Sequence, residues 1–433
     1  MTNNSLYYIW LSEAIGGSYD TYRELTDTIG SVYDVYMADT DVYSGLSARV
    51  RRRMSALCDK SLSRAMSISD FCRTSEICII TYEDKNYPSL LRDIEDPPLV
   101  LYIRGRMPDF ESKLHVAVVG TRKMTEYGKN IAYNMGYSLS RNGAVVVSGM
   151  ALGCDSVAMC AALDAGCGCI GVLGCGVDIA YPPQHSSFMK NILSNGGSII
   201  SEYAPGVKAK PEYFVRRNRI ISGLCRATLV VEADMISGAM HTARFTNAQD
   251  RMLFVIPGKV GEKSSEGTLS LISDGARVAL EPNDILKEYV FLYSGTVDLK
   301  TYGATPSGEI DACLSRRGVY SKSIAANSIR AASDTAQTQE NKVQKRIGIR
   351  DVLGELVKKK TSEPYTDPQK QKKLELLPKE VRDVYDKIPK NEIFIADDVE
   401  KYGISAREFM CAVTILEING LAKAYPGSRY TLE

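Results

Sequence analysis

From His115 onward, short apolar runs alternate with stretches whose apolar residues recur at helical spacing. Val116-Ala-Val-Val119 ends at Gly120 and leads into a helix predicted to reach about Arg141. Ala144-Val-Val-Val147 ends at Ser148-Gly149, with a helix to about Ala165. Ile170-Gly-Val-Leu173 ends at Gly174-Cys-Gly176, with a helix within 185–194. Ser198-Ile-Ile200, Thr228-Leu-Val-Val231 and Leu253-Phe-Val-Ile256 continue the series. Continuously apolar strands are buried on both faces, which means a parallel sheet with helices on either side. The pattern predicts an α/β fold over 76–290: a Rossmann-like, doubly wound, mostly parallel sheet with right-handed crossovers. In such sheets ligands bind beyond the carboxyl ends of the strands.

The flanks read differently. Residues 1–75 carry apolar residues at helical spacing, as in Tyr7–Ile15 and Tyr22–Ile29, interrupted by Gly16-Gly17 and Gly30-Ser31. They predict a small helical domain of the SAM or helix–hairpin–helix type. Ile79–Tyr82 and Leu99–Ile103 are expected strands. Residues 291–373 hold few large apolar residues, and 341–373 carries ten Lys or Arg against four Asp or Glu. This predicts a basic, partly disordered linker. Residues 374–433 return to helical spacing at 380–385 and 406–416, then to a hairpin turning at Pro426-Gly427, which suggests a winged helix.

Charge and composition narrow the chemistry. A net charge of +1 over 433 residues confines any nucleic-acid site to a local basic patch. No apolar run approaches the length of about eighteen residues needed to span a membrane, and no signal peptide is visible. The 11 cysteines are irregularly spaced and form no C-x-x-C pair, so they read as small buried residues in a reducing, cytoplasmic setting rather than as disulfides or metal ligands. The three histidines form no H-E-x-x-H, and neither a P-loop nor a G-x-S-x-G elbow occurs. No catalytic residue, metal or cofactor is therefore assigned. Gly174-Cys-Gly176 is half of a dinucleotide fingerprint, with Ile179 at its third glycine position. His241 reads as a core or surface residue rather than a general base.

What the sequence does offer is anion chemistry. Three strand ends carry small or hydroxyl residues leading into helices: Gly120-Thr121-Arg122, Ser148-Gly149 and Ser237-Gly238. Unpaired N–H groups at helix starts, with the helix dipole, favour phosphate. Lys210-Pro-Glu-Tyr-Phe214-Val-Arg216-Arg217-Asn218-Arg219 interleaves basic groups with aromatic ones, a combination suited to an unpaired nucleic-acid strand.

These passages, with Gly128, Gly153-Cys-Asp155, Val172–Asp178, Tyr181-Pro-Pro183, Ser201-Glu-Tyr203, Ser222-Gly223, Val231-Glu-Ala233, Pro257-Gly258 and Gly267-Thr268, closely resemble the DNA-processing protein A (DprA/Smf) family over about 75–287. Cys154, Met159 and Leu269 depart from the residues common there. The resemblance implies a non-enzymatic binder of single-stranded DNA that loads it onto the RecA recombinase in DNA uptake, natural transformation and recombination, working as a homodimer and away from membranes. It implies DNA contacts from Gly120, Thr121, Arg122, Ser148, Gly149, Lys210, Phe214, Arg217, Asn218, Ser237 and Gly238. The competing expectation is a nucleotide-binding or nucleotide-hydrolysing enzyme of the lysine-decarboxylase-like Rossmann group, with Glu232 as the acidic residue nearest a strand end.

Overall fold

The computed structural model describes residues 4–319 and, near the end of the chain, parts of 379–432. The chain divides into two units, Met1–Ser333 and Asp334–Glu433.

The first unit opens on seven helices: α1 (Asn4–Ile15), α2 (Tyr19–Ile29), α3 (Val32–Met37), α4 (Thr40–Ser44), α5 (Ala48–Arg51), α6 (Met54–Cys58) and α7 (Ser63–Thr74). Hydroxyl caps start several of them. Ser18 accepts from Thr21 N, Ser47 from Val50 N, and Ser31 forms a capping box with Asp34. Gly16 and Gly17 end α1 at φ of +65° and +68°, a left-handed turn that glycine adopts without steric cost.

The strands follow. β1 (Ile77–Thr81), the short α8 (Ser89–Arg92) and β2 (Val100–Gly105) precede β3 (His115–Val119). Then come α9 (Glu126–Arg141), β4 (Val145–Ser148), α10 (Cys154–Asp164), β5 (Ile170–Val172), α11 (Ser186–Ser194), β6 (Ser198–Ser201) and α12 (Pro211–Gly223). The series closes with β7 (Ala227–Val230), α13 (Gly238–Ala248), β8 (Met252–Val255), α14 (Glu266–Ser273), β9 (Arg277–Val278) and α15 (Asn283–Leu286). One nine-stranded sheet results, in the order β1-β2-β6-β5-β4-β3-β7-β8-β9. All pairings from β6 to β9 are parallel; β1 and β2 add an antiparallel edge. The sheet is thus mostly parallel, as the apolar runs require. Strand β3 shows why they are continuous: Val116 and Val118 enter the core beneath α9 and α10, while Ala117 and Val119 enter the core beneath α12 and α13.

The strand order fixes where a ligand can enter. From β3 the chain steps outward through β4, β5 and β6, then returns through α12 to β7 on the other side of β3. The connections leaving β3 and β7 diverge, and a crevice opens between them at the carboxyl edge.

The linker expected from 291 is contradicted as far as residue 319. Tyr293, Val297, Ile310, Leu314 and Val319 are buried, and residues 307–317 form α16 (Ser307–Arg317). Lys129 Nζ lies 2.7 Å from Asp311, Arg317 Nε lies 2.8 Å from Asp164, and Asn142 exchanges hydrogen bonds with the backbone of Lys300. These anchors join residues more than 150 positions apart, so no local pattern announces them. Residues 320–373 of the expected linker lie outside the described residues.

Within the second unit, the helix Lys379–Lys387 accompanies a three-stranded antiparallel sheet of Phe394–Ile395, Arg429–Leu432 and Ala422–Tyr425. The last two strands form the expected hairpin, with Tyr425 opposite Arg429. Most of the helix expected over 406–416 lies outside the described residues. Among the described residues no helix is long and apolar enough to cross a membrane.

His115, at the head of β3, is almost wholly buried, and its Nδ1 is 2.9 Å from Lys113 O. Burial lowers its pKa from 6.5 to about 4. The unfolded chain therefore binds this proton more readily than the folded one. His115 is expected to cost no stability above pH of about 6.5, and to cost up to about 3 kcal/mol as pH falls through about 4, at 1.36 kcal/mol per unit. Urea unfolding at pH near neutral and near 4.5, for the native chain and His115→Phe, checks this: the acid loss should shrink in the variant.

Candidate nucleic-acid interface

A cleft of about 640 Å³ lies at the predicted crevice, walled by the loops after β3 and β7 and by the first turns of α12 and α13. The loop after β3 is pinned before it reaches solvent. Thr121 N donates to Glu232 O at 2.7 Å, and Cys154 N donates to Thr121 O at 3.3 Å. Gly120 is required by packing, because a Cβ there would stand 2.6 Å from Cys154 Sγ. Cys154, one of the departures from the family pattern, is fully buried beneath this loop.

Helix α9 begins at Glu126, four residues beyond Arg122, and not at Arg122 as the sequence suggested. Its N-terminus is already capped: Thr125 Oγ1 accepts from Gly128 N, and Glu232 Oε2 accepts from Thr125 N at 2.8 Å. The helix start that does open on the cleft belongs to α13. Ser237 caps it by accepting from Ala239 N, and Ser237, Gly238 and His241 all line the cleft. Its dipole favours an anion there. His241 stands one turn from Gly238, so helical spacing already placed it on this face.

Arg122, Lys123 and Lys210 line the cleft and are exposed. Arg122 makes no hydrogen bond or ion pair with any described residue. Lys210, at the N-cap of α12, holds its ammonium 5.2 Å from the Tyr213 ring centre. Phe214 forms the aromatic wall, tilted against Tyr181 at 4.7 Å.

Arg217 is different in kind. It is 4% exposed and donates to Gly149 O at 2.8 Å, to Val172 O, and through Nε to Asn218 Oδ1 at 3.2 Å. Burial lowers its pKa to about 10, with Asp155 opposing that effect and the neighbouring positive charge of Arg122 adding to it. Asp155 is as deeply buried. Burial raises its pKa, while Arg217 and the backbone N–H groups of Ala151, Gly149 and Gly120 pull it down. Arg217 therefore stays charged near neutrality and presents a fixed positive charge at the cleft floor. Asn218 extends the same scaffold by donating from Nδ2 to Gly238 O at 3.3 Å, tying α12 to the start of α13.

Of the eleven expected residues, nine line this cleft: Gly120, Thr121, Arg122, Lys210, Phe214, Arg217, Asn218, Ser237 and Gly238. Ser148 and Gly149 do not. Ser148 Oγ donates to Val118 O at 2.6 Å, and Gly149 is enclosed between Arg217 and Asp155 beneath the floor. The other two arginines of the 216–219 run also point elsewhere. Arg219 forms a buried two-pronged bridge to Glu202, and Arg216 donates to the carbonyls of Gly16 and Gly17. Lys123 and Asp234 line the cleft without a signal in the sequence, and Asp155 and Tyr181, part of the motifs but not among the expected DNA contacts, line it too. Among the described residues, no group of His, Cys, Asp and Glu converges as a metal site would require.

Fold and site together define a doubly wound α/β protein with a cationic, aromatic-walled cleft at its topological switch point. The sequence pattern of the family described as DNA recombination-mediator protein A matches residues 78–290. Protein Smf of Synechocystis sp. is 40% identical over 210 residues, 48% of this chain and 52% of that protein. DNA processing protein DprA of Streptococcus pneumoniae is 36% identical over 208 residues, 48% of this chain and 73% of that protein. The X-ray structure of DNA processing protein A from S. pneumoniae superposes with a TM-score of 0.55 at 30% identity, covering 65% of this chain and 97% of that one. The chain belongs to the DNA recombination-mediator protein A family, and it spans about half the length of the Synechocystis relative.

Proposed function

We propose that the chain binds single-stranded DNA in this cleft and, as a homodimer in the cytoplasm, delivers the strand to the RecA recombinase during DNA uptake and recombination. The observation that carries the reading is the set of exposed cations without anionic partners, Arg122 above all, facing the N-terminus of α13 beside Phe214. A phosphate between Arg122 and Arg217 relieves their mutual repulsion, and Phe214 offers a face for an unpaired base. Gly120, Thr121, Ser237, Gly238 and Asn218 shape the cradle. Gly149 contributes by holding Arg217 through its carbonyl, and Ser148 by tying the end of β4 to β3. The winged helix proposed over 374–433 is an accessory.

The enzymatic reading needs a carboxylate free to exchange protons with a substrate. Glu232 is committed to the start of α9, Asp155 to Arg217 and backbone amides, and Asp234 accepts from Ile236 N at 3.1 Å. Incubation with nucleoside monophosphates is expected to release no base. Single-strand binding is expected to weaken with salt at a log–log slope of about −2, from about −0.7 per phosphate and the three exposed cations. Fluorescence anisotropy with single- and double-stranded oligonucleotides across a salt series checks this. Salt-independent binding, or equal affinity for duplex, would contradict it.

A further inference from the structure

A second pocket, of about 280 Å³, lies on the seam between the N-terminal helices and the sheet. Leu99, Val100, Ala204 and Val207 give it apolar walls, and Tyr203 and Tyr213 an aromatic one. The two tyrosines stack at 4.1 Å with 20° between their planes. The Tyr203 hydroxyl is buried and has no hydrogen-bond partner among the described residues. A buried hydroxyl left unpaired costs free energy, and a ligand that pairs with it recovers that cost. Glu13 and Arg64, 2.5 Å apart, stand in the same pocket, and Arg53 lies over Gly16.

The first turns of α12 contribute to both the pocket and the cleft. Phe214 faces the cleft and its neighbour Tyr213 faces the second pocket, while Lys210 lines the cleft and sits over the Tyr213 ring. Arg216 fixes the spacing by fastening α12 to the left-handed turn at Gly16-Gly17. Lys210, on the cleft, and Tyr213, on the pocket, are thereby in contact across the start of α12. An apolar, aromatic-walled pocket with a few convergent polar groups suits one flat heteroaromatic ring.

Building on the cleft reading, we infer that the seam pocket is a second subsite that receives an unpaired nucleobase of the same DNA strand, with Tyr203 Oη hydrogen-bonded to the base edge and Arg64 beside the adjoining phosphate. The N-terminal helices then form part of the DNA-binding surface.

The test is a ladder of oligothymidylates, from the dinucleotide to the decanucleotide, titrated against the full chain, Tyr203→Phe and Arg64→Glu. The native chain is expected to gain about tenfold in affinity at the length that first spans both sites, since stacking or pairing one base is worth roughly a decade. Both variants should lose that step and keep the affinity of the shortest oligomers. Tyr203→Phe should melt no lower than the native chain, because its hydroxyl makes no bond in the free protein. A step that persists in both variants, or a uniform loss at every length, overturns the second subsite. So does a native chain that binds short oligomers but shows no step. Absence of binding at every length instead overturns the cleft reading on which this subsite rests.

Discussion

Arg217→Ala is expected to destabilise the first unit by about 3–5 kcal/mol, the range for removing one partner of a buried charge pair. The loss exceeds that of the contacts themselves. Arg217 satisfies Gly149 O and Val172 O, and it opposes the burial of Asp155. Without it, the Asp155 carboxylate keeps only backbone N–H groups. Its pKa, already raised, would rise further. The sign of the pH effect follows. A carboxylate with a raised folded pKa costs stability in full where it is ionised, and costs nothing once both folded and unfolded states are protonated. The Arg217→Ala deficit should therefore shrink as pH falls toward the unfolded Asp value of about 3.9. Adding Asp155→Asn should recover part of the loss at neutral pH, because an amide oxygen can still accept from Gly149 N. Urea unfolding of the two single variants and the double variant at several pH values measures this. A deficit that does not change with pH would show that Asp155 is not what Arg217 supports.

Arg122→Ala is expected to weaken single-strand binding by about tenfold to a hundredfold while leaving the fold intact. The residue is exposed, and no described carboxylate or carbonyl holds it, so its loss removes no hydrogen bond or ion pair. Its guanidinium can fork onto a phosphate with two parallel bonds. A charge-assisted contact of this kind is worth about 1.5–3 kcal/mol, or one to two decades. The loss should be the same for every base sequence, since phosphates carry no base information. The salt slope should become shallower by about 0.7. Arg122→Lys should recover only part of the affinity. Anisotropy titrations paired with thermal melts separate this from a structural role, which would lower the melting temperature and spare the affinity of the folded protein.

The two arginines illustrate how far the sequence could be read. In the run Arg216-Arg217-Asn218-Arg219, every cation is equally available for phosphate on paper. The helix sorts them at about 100° per residue, so Arg216 reaches the turn after α1 and Arg219 reaches Asp96 and Glu202, while Arg217 faces the sheet edge. Ser148 and Gly149 were read as a third phosphate loop because a strand ends there in small residues. The structure uses the smallness for packing, with Gly149 enclosed between two buried charges. Arg122 was placed at a helix start, yet the chain spends two further residues before Thr125 caps α9.

What the sequence determined by itself is the alternation of buried strands and helices from β3 to β8, and hence a mostly parallel sheet with its ligand edge at the strand ends. That information is local: four apolar residues in a row bury both faces of a strand, and a glycine after them ends it. The family resemblance was legible for the same reason, since its motifs sit at those strand ends. Only the tertiary structure decided which charges are free. Whether a cation serves the fold or a ligand depends on the carboxylates and carbonyls that reach it from distant segments, as Asp96 and Glu202 reach Arg219, Asp155 supports Arg217, and Asp311 reaches Lys129. The packing of residues 293–319 was hidden for the same physical reason. Its helix is held by partners far away in sequence, and long-range pairing leaves no periodic trace in the segment it fixes.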